Sequence, residues 1–139
     1  MMPQPLQTNP GPEPGTIAVK LWRITGLDVK IGPSGGLPYP WRAEAELPEG
    51  GYLCALSITL DGLRADFLLL NLQRCRNLLL ARDPRCGVCT SPRNLEMDHI
   101  EPRSHGRNDR LENLQLLCHD CHRRKTGEPQ WIRREITTS

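Results

Sequence analysis

Hydrophobic and polar positions alternate most regularly between Tyr52 and Leu60, where every second residue is apolar. A period of two is typical of a β-strand with one buried face, so we predict a strand over this segment. Its apolar side chains are expected to face the core. The Asp61-Gly62 dipeptide that follows predicts a tight turn.

Weaker patterns nearer the N-terminus predict two further strands. Apolar side chains at alternate positions indicate a strand over Thr16–Ile24, and Leu27–Ile31 is expected to form a second one. Residues 32–51 contain five Gly and four Pro, which predicts a long loop. Within it, Trp41 is either an anchor that covers the core or a contact for a partner, and the anchor is favoured because a lone Trp usually buries area.

Helical spacing begins near residue 71. Apolar side chains recur at intervals of three and four from Leu72 to Leu79, which predicts a helix over Asn71–Arg82 that ends at Asp83-Pro84. The preceding stretch, Leu63–Leu70, fits a helix and also fits a strand that pairs back onto 52–60, so both remain open.

Composition indicates a thin core. Hydrophobic residues make up 37% of the 139 residues and aromatic residues only 4%, so a structural metal would help to hold the fold. The first 15 residues carry five prolines and almost no apolar side chains, which predicts a disordered or extended arm. Because the sequence shows no membrane-spanning run and no secretory signal, we expect a cytoplasmic location, where thiols stay reduced.

Charge is distributed unevenly along the chain. Residues 74–139 contain 13 Lys/Arg and 9 Asp/Glu, whereas residues 1–73 contain 5 and 7, and the formal net charge is +2. A basic excess in the C-terminal half suits a nucleic-acid partner. An ordinary solvated surface fits these counts equally well.

Two Cys-x-x-Cys pairs predict a zinc site. The first cysteine of the second pair follows the last cysteine of the first pair by 29 positions. Each pair forms a knuckle that directs both sulfurs to one point, and four thiolates complete a tetrahedron with no open position. The zinc is therefore expected to be structural. The ligands are Cys86, Cys89, Cys118 and Cys121. The other two cysteines, Cys54 and Cys75, lie on apolar faces and are interpreted as small core residues.

Between the knuckles, Asp98 and His99 suggest chemistry on phosphate. A carboxylate suits a hard ion such as Mg²⁺ or Mn²⁺, and an imidazole can accept a proton near neutral pH. Neighbouring residues on a strand face opposite ways, so both can serve one reaction only if the strand over Glu96–Ile100 ends or bulges there. Pro102 is consistent with such an end.

Two further polar residues lie where the chain returns. His122 follows the last cysteine and would begin a short helix docked by the zinc, so it is a candidate ligand opposite Asp98. Asn113 would either hold the loop or fix the orientation of His99 by a hydrogen bond.

On these residues the chain resembles the zinc-knuckle subclass of the HNH endonuclease family, over about residues 82–127. The matching pattern is Cys-x-x-Cys, Asp-His-Ile-x-Pro and Asn-Leu-x-x-Leu-Cys-x-x-Cys-His-x-x-Lys-Thr. The resemblance implies a ββα-metal fold, built from two short strands and a helix. Many relatives have a Gly pair in the loop after the first strand, whereas this loop has the single glycine Gly106.

The resemblance also implies roles for individual residues. His99 would be the general base, and Asp98 and His122 would hold the catalytic divalent ion. Asn113 matches the family's central Asn and would support the geometry of the site. Arg123, Arg124 and Lys125 are candidate contacts to DNA phosphates, although charges on a helix surface are often simply solvated.

The function implied is a metal-dependent endonuclease that nicks or cuts DNA, with His99 activating water. The alternative is a non-catalytic zinc module that binds nucleic acid or protein, and a weaker one is an RNA-cleaving toxin of the same fold. The sequence leaves the oligomeric state open, a homodimer included.

We therefore predict an α+β protein with four parts. Residues 1–15 form the arm and 16–70 a β-rich region of unknown role. Residues 71–130 form the nuclease domain with its leading helix, and 131–139 form a C-terminal tail.

Overall fold

The computed structural model describes residues 13–127, so most of the expected arm and the whole expected tail lie outside the described residues. The chain divides into two compact units between Leu70 and Asn71. None of the helices within residues 13–127 has the length and apolar content that crossing a bilayer requires.

The first unit combines helices with a three-stranded antiparallel sheet of order β1-β2-β3. Its elements are α1 (Pro14–Thr25), β1 (Lys30–Pro33), β2 (Trp41–Glu46), β3 (Tyr52–Ser57) and the first half of α2 (Leu60–Arg82). Its core consists mainly of aliphatic residues from the helices and small residues from the sheet. The fully buried members are Ile17, Leu21, Ala43, Leu63 and Phe67.

The strand predicted over Thr16–Ile24 is wrong, because this segment is the helix α1. Ile17 and Leu21 are both buried, and they fit a period of two as well as a spacing of four. Pro14 suits the first turn of a helix, and Gly26, with φ 74°, ends it by donating its N–H to the Trp22 carbonyl.

The long loop predicted at 32–51 contains β2, so that prediction is also wrong in part. The buried positions of β2 are Ala43 and Ala45, whose small side chains produce no clear hydrophobic alternation. β1 begins only at Lys30, three residues later than predicted. Trp41 is partly buried against the core, which favours its interpretation as an anchor.

β3 confirms the strand predicted from Tyr52, but its buried face is the opposite one. Ala55 and Ser57 are buried, whereas Tyr52 and Leu56 are 66% and 48% exposed. Cys54 is exposed as well, so its interpretation as a core residue is wrong.

The turn predicted at Asp61-Gly62 is wrong because both residues belong to the first turn of α2. Thr59 caps this helix, since its hydroxyl accepts a hydrogen bond from the Gly62 N–H at 3.0 Å. A Cβ on Gly62 would lie 2.6 Å from Ser57 Oγ, so a larger residue there would require the Ser57 hydroxyl to move.

The open segment Leu63–Leu70 is helical, and the helix predicted over Asn71–Arg82 is confirmed as the second half of α2. Asp83-Pro84 follows its end, as predicted. Cys75 is fully buried, in agreement with its interpretation as a core residue.

The second unit has the ββα arrangement that the sequence predicts. It contains the second half of α2, β4 (Leu95–His99), β5 (Leu114–Cys118) and α3 (His119–Gly127). β4 and β5 pair antiparallel, from Leu95 opposite Cys118 to His99 opposite Leu114. The connection between the strands includes single 3₁₀ turns at Arg103–His105 and Leu111–Asn113.

Candidate zinc site and active site

The four predicted zinc ligands converge in the second unit. The Sγ atoms of Cys86, Cys89, Cys118 and Cys121 all lie within 4.8 Å of one another, and those of Cys89 and Cys118 are 3.6 Å apart. Four sulfurs placed tetrahedrally about 2.3 Å from one zinc ion are about 3.8 Å apart. The donor set and its spacing therefore fit a structural zinc.

Backbone N–H groups point at two of these sulfurs. The N–H groups of Val88 and Cys89 lie 3.4 and 3.5 Å from Cys86 Sγ, and that of Cys121 lies 3.5 Å from Cys118 Sγ. Such contacts favour the charged thiolate. The turn inside each knuckle thus stabilises the negative sulfur that binds a cation.

The metal-free thiols do not ionise equally. Burial acts to raise the pKa of Cys86, but backbone N–H groups of Cys89, Cys118 and Val88 outweigh it and lower the pKa to about 6. Burial, and then the neighbouring cysteines, raise the pKa of Cys121. A thiolate at Cys86 disfavours a second one at Cys121, and a bound cation would offset both the burial and this repulsion.

Asp98 and His122 meet between β4 and α3. Asp98 is largely buried, and its Oδ1 lies 3.5 Å from His122 Nε2. Two atoms that each lie about 2.1 Å from one Mg²⁺ ion are at most about 4.2 Å apart. The carboxylate and the imidazole can therefore bind the same ion.

Glu96, which the sequence analysis assigns no role, lies next to His122. Its Oε2 is 3.6 Å from His122 Nδ1, at ion-pair distance, and 3.1 Å from His119 Nδ1. Glu96 and Asp98 share a face of β4 because they are two residues apart. The carboxylate at 96 thus favours a proton on Nδ1, which leaves Nε2 of His122 free to bind a metal.

The other oxygen of Asp98 already has two donors. Gln115 Nε2 donates to Asp98 Oδ2 at 3.0 Å, and the Lys125 ammonium contacts the same oxygen and the His99 carbonyl. The Lys125 side chain is only 16% exposed. It therefore does not extend into solvent as a phosphate contact would, whereas Arg123 and Arg124 on the same helix are exposed.

The His99 imidazole is held by a buried carboxylate. His99 Nε2 lies 2.7 Å from Asp109 Oδ1, and Asp109 is 0% exposed. Arg107 Nε donates to the other oxygen of Asp109 at 2.9 Å. No local pattern in the sequence marks Asp109, since it is one of several polar residues in an irregular loop.

Asn113 holds that loop. Its Oδ1 accepts a hydrogen bond from the Glu101 N–H at 2.9 Å, and its Nδ2 donates to the Asn108 carbonyl at 2.7 Å. Of the two roles that the sequence leaves open, these contacts support the first. The ring of His99 has Asp109 as its partner instead.

β4 ends at His99, so the side chains of Asp98 and His99 lie at the end of a strand. The side chain of Asp98 contacts α3, and that of His99 contacts the loop residue Asp109. Within residues 13–127, the four cysteines form the only cluster of three or more potential metal ligands from His, Cys, Asp and Glu. An ion at Asp98 and His122 would therefore need water or substrate oxygens, which is usual for Mg²⁺.

Comparison with known proteins agrees with this geometry. Residues 86–128 match the family model of HNH endonucleases, so the resemblance is confirmed for a segment that contains all four cysteines. Neither the curated proteins nor the solved structures include a significant match to the chain.

Proposed function

From the HNH endonuclease segment at residues 86–128, we propose that this protein is a metal-dependent endonuclease that hydrolyses phosphodiester bonds in DNA. The observation that carries the proposal is the pairing of Asp98 Oδ1 with His122 Nε2 at 3.5 Å, beside a His99 ring fixed at the end of the same strand. The reduced cysteine cluster favours a cytoplasmic location for this activity.

Asp98 and His122 would hold Mg²⁺ or Mn²⁺, although other divalent ions also suit a carboxylate and an imidazole. When bound, the ion supplies positive charge that offsets the developing charge on the phosphate. Neighbouring side chains orient the Asp98 carboxylate for this role. Gln115 and Lys125 fix Asp98 Oδ2, so that Oδ1 faces His122.

His99 acts as the general base. The Asp109 carboxylate accepts the Nε2–H of His99, so the neutral ring carries its lone pair on Nδ1. That nitrogen takes a proton from the water whose oxygen bonds to phosphorus, while the P–O bond to the departing nucleotide oxygen breaks and that oxygen gains a proton from solvent. The negative Asp109 stabilises the imidazolium that results. The orientation of the base is thus set by a buried carboxylate rather than by Asn113.

DNA would approach the exposed side of α3. Arg123 and Arg124 are exposed there and follow His122 directly. Positive charges at such positions bind the phosphate backbone and set its register without reading sequence. Lys125 instead contacts Asp98 Oδ2, so it is a neighbour of the proposed metal ligand and a weaker candidate for a DNA contact than these two arginines.

The function is tested with a panel of substrates. The zinc-loaded protein is incubated with supercoiled plasmid, single-stranded DNA and an RNA transcript, without added metal and then with Mg²⁺ or Mn²⁺. We expect nicked or linear plasmid only when the divalent ion is present.

The other outcomes are equally informative. Cleavage of RNA alone would show an RNA-cleaving enzyme of the same fold. Retained nucleic-acid binding without cleavage under any condition would show the non-catalytic zinc module and refute the endonuclease.

A further inference from the structure

A buried amide on α2 contacts the loop that orients His99. Asn71 is 0% exposed, and its Nδ2 donates to the Asp109 carbonyl at 2.9 Å, across 38 residues of sequence. Asn71 lies outside the matched segment 86–128. A fully buried amide costs free energy unless it is hydrogen-bonded, so this contact explains why a polar residue can occupy the position.

The orientation of the Asn71 amide is fixed by its own neighbour. Arg74 Nη1 donates to Asn71 Oδ1 at 3.0 Å, which assigns the oxygen to that side and the NH₂ group to Asp109. Cys75 Sγ lies 3.9 Å from the same Asp109 carbonyl. Asn71 and Cys75, one turn apart on α2, therefore both contact the Asp109 carbonyl.

Asp109 is thus held at three atoms. Its carbonyl is bound by Asn71, its Oδ2 by Arg107, and its Oδ1 contacts His99 Nε2. The contact to Arg107 comes from the same loop, two residues away, and moves with it. Asn71 makes the strongest hydrogen bond between the Asp109 backbone and α2, so the helix helps to define where the carboxylate lies.

We propose that Asn71 is a positioning residue for the nuclease site. By fixing the Asp109 backbone, it holds the carboxylate where it accepts Nε2–H of His99 and keeps Nδ1 as the basic nitrogen. The inference rests on the proposed function for the role of His99 as base. If Asn71 has this role, the residues needed for nuclease activity begin on α2, before Cys86.

The test compares Asn71→Ala with Asn77→Ala in the full-length, zinc-loaded chain. Asn77 is exposed on the same helix and serves as the matched control. The tautomer of His99 is read from ¹H–¹⁵N spectra of the ring at a pH where it is neutral, without DNA. Its signals are identified by their absence in His99→Ala.

We expect wild type and Asn77→Ala to show the Nε2–H tautomer with a slowly exchanging proton. Asn71→Ala should show a mixture of tautomers and fast exchange of that proton. In plasmid cleavage, kcat of Asn71→Ala should fall about tenfold with KM nearly unchanged, since the residue acts on the base and touches no substrate. If Asn71→Ala does not fold, Asn71→Ser, which keeps a donor in a small side chain, should show a smaller change in the same direction.

Two results would overturn the inference. One is an Nδ1–H tautomer in the wild type, and the other is a His99 spectrum in a folded Asn71 variant that equals that of Asn77→Ala. Because the spectra need no activity, failure of the endonuclease assignment and failure of this inference are separate outcomes.

Discussion

His99 Nε2 lies 2.7 Å from Oδ1 of Asp109, a carboxylate with no exposed surface. Hydrolases with a Ser-His-Asp triad use a buried acid in the same way, to orient an imidazole. It fixes which ring nitrogen carries the proton, and so which nitrogen can act as base.

Replacing that acid should lower activity without removing the fold. Asp109→Asn keeps the shape of the side chain but loses its negative charge, so the imidazolium is no longer stabilised. We expect the single-turnover rate of plasmid cleavage to fall by about 10²-fold. Asp66→Asn, an exposed acid on α2, is the control. Equal rates for both variants would show that Asp109 has no part in the reaction.

Removal of zinc should unfold the second unit. Binding of a structural zinc supplies roughly 10 kcal/mol or more, comparable to the stability of a whole domain. Metal analysis should find one tightly bound zinc per chain, and a strong chelator should lower the melting temperature sharply. Re-addition of Zn²⁺, and not Mg²⁺, should restore it.

Single cysteine variants provide the matched comparison for this prediction. Cys118→Ser removes a ligand and should lose the zinc, whereas Cys54→Ser alters an exposed thiol outside the cluster and should keep it. Equal zinc content in the two variants would contradict the assignment of the ligands.

The Lys125 ammonium should weaken metal binding at Asp98. It contacts Asp98 Oδ2, so its positive charge repels a cation at the same carboxylate. Lys125→Gln removes that charge while Gln115 still holds the oxygen. We expect calorimetry to show Mn²⁺ affinity about fivefold higher, and Arg123→Gln to leave it unchanged. Lower affinity in Lys125→Gln would show that the ammonium mainly orders the carboxylate.

Arg123 should contribute to DNA affinity through phosphate alone. Arg123→Gln should weaken binding to all sequences alike and reduce the slope of log K against log salt by about one. The measurement is fluorescence anisotropy over a salt series without divalent ions. Arg64→Gln, an exposed arginine on the first half of α2, is the control. A slope unchanged from wild type would show that Arg123 makes no contact with a DNA phosphate.

The four cysteines and the candidate residues Asp98 and His99 could be identified from the sequence because their signals are local. Each Cys-x-x-Cys pair specifies its own turn, and the Asp98-His99 pair lies at a strand end marked by Pro102. No comparable signal exists for Asp109 or Asn71. Their roles depend on contacts across 10 and 38 residues, which no local pattern encodes.

The errors in the first unit also have physical causes. Ile17 and Leu21 fit two periods at once, and the choice of helix depends on the capping Gly26 and on packing against distant residues. In the sheet, the buried face carries Ala43 and Ala55. Their small side chains give no clear hydrophobic alternation, so the sequence does not reveal which face is buried. The alternation of the larger apolar side chains in β3 therefore predicts the wrong buried face.

The proposed function requires His99 as the base, so the rate of plasmid cleavage by His99→Ala is the decisive measurement. His105, an exposed histidine in the adjoining loop, supplies the control His105→Ala. With zinc content and melting temperature matched, we expect His99→Ala to be slower by at least about 10²-fold and His105→Ala to match the wild type. Cleavage by His99→Ala at the wild-type rate would show that His99 is not the base.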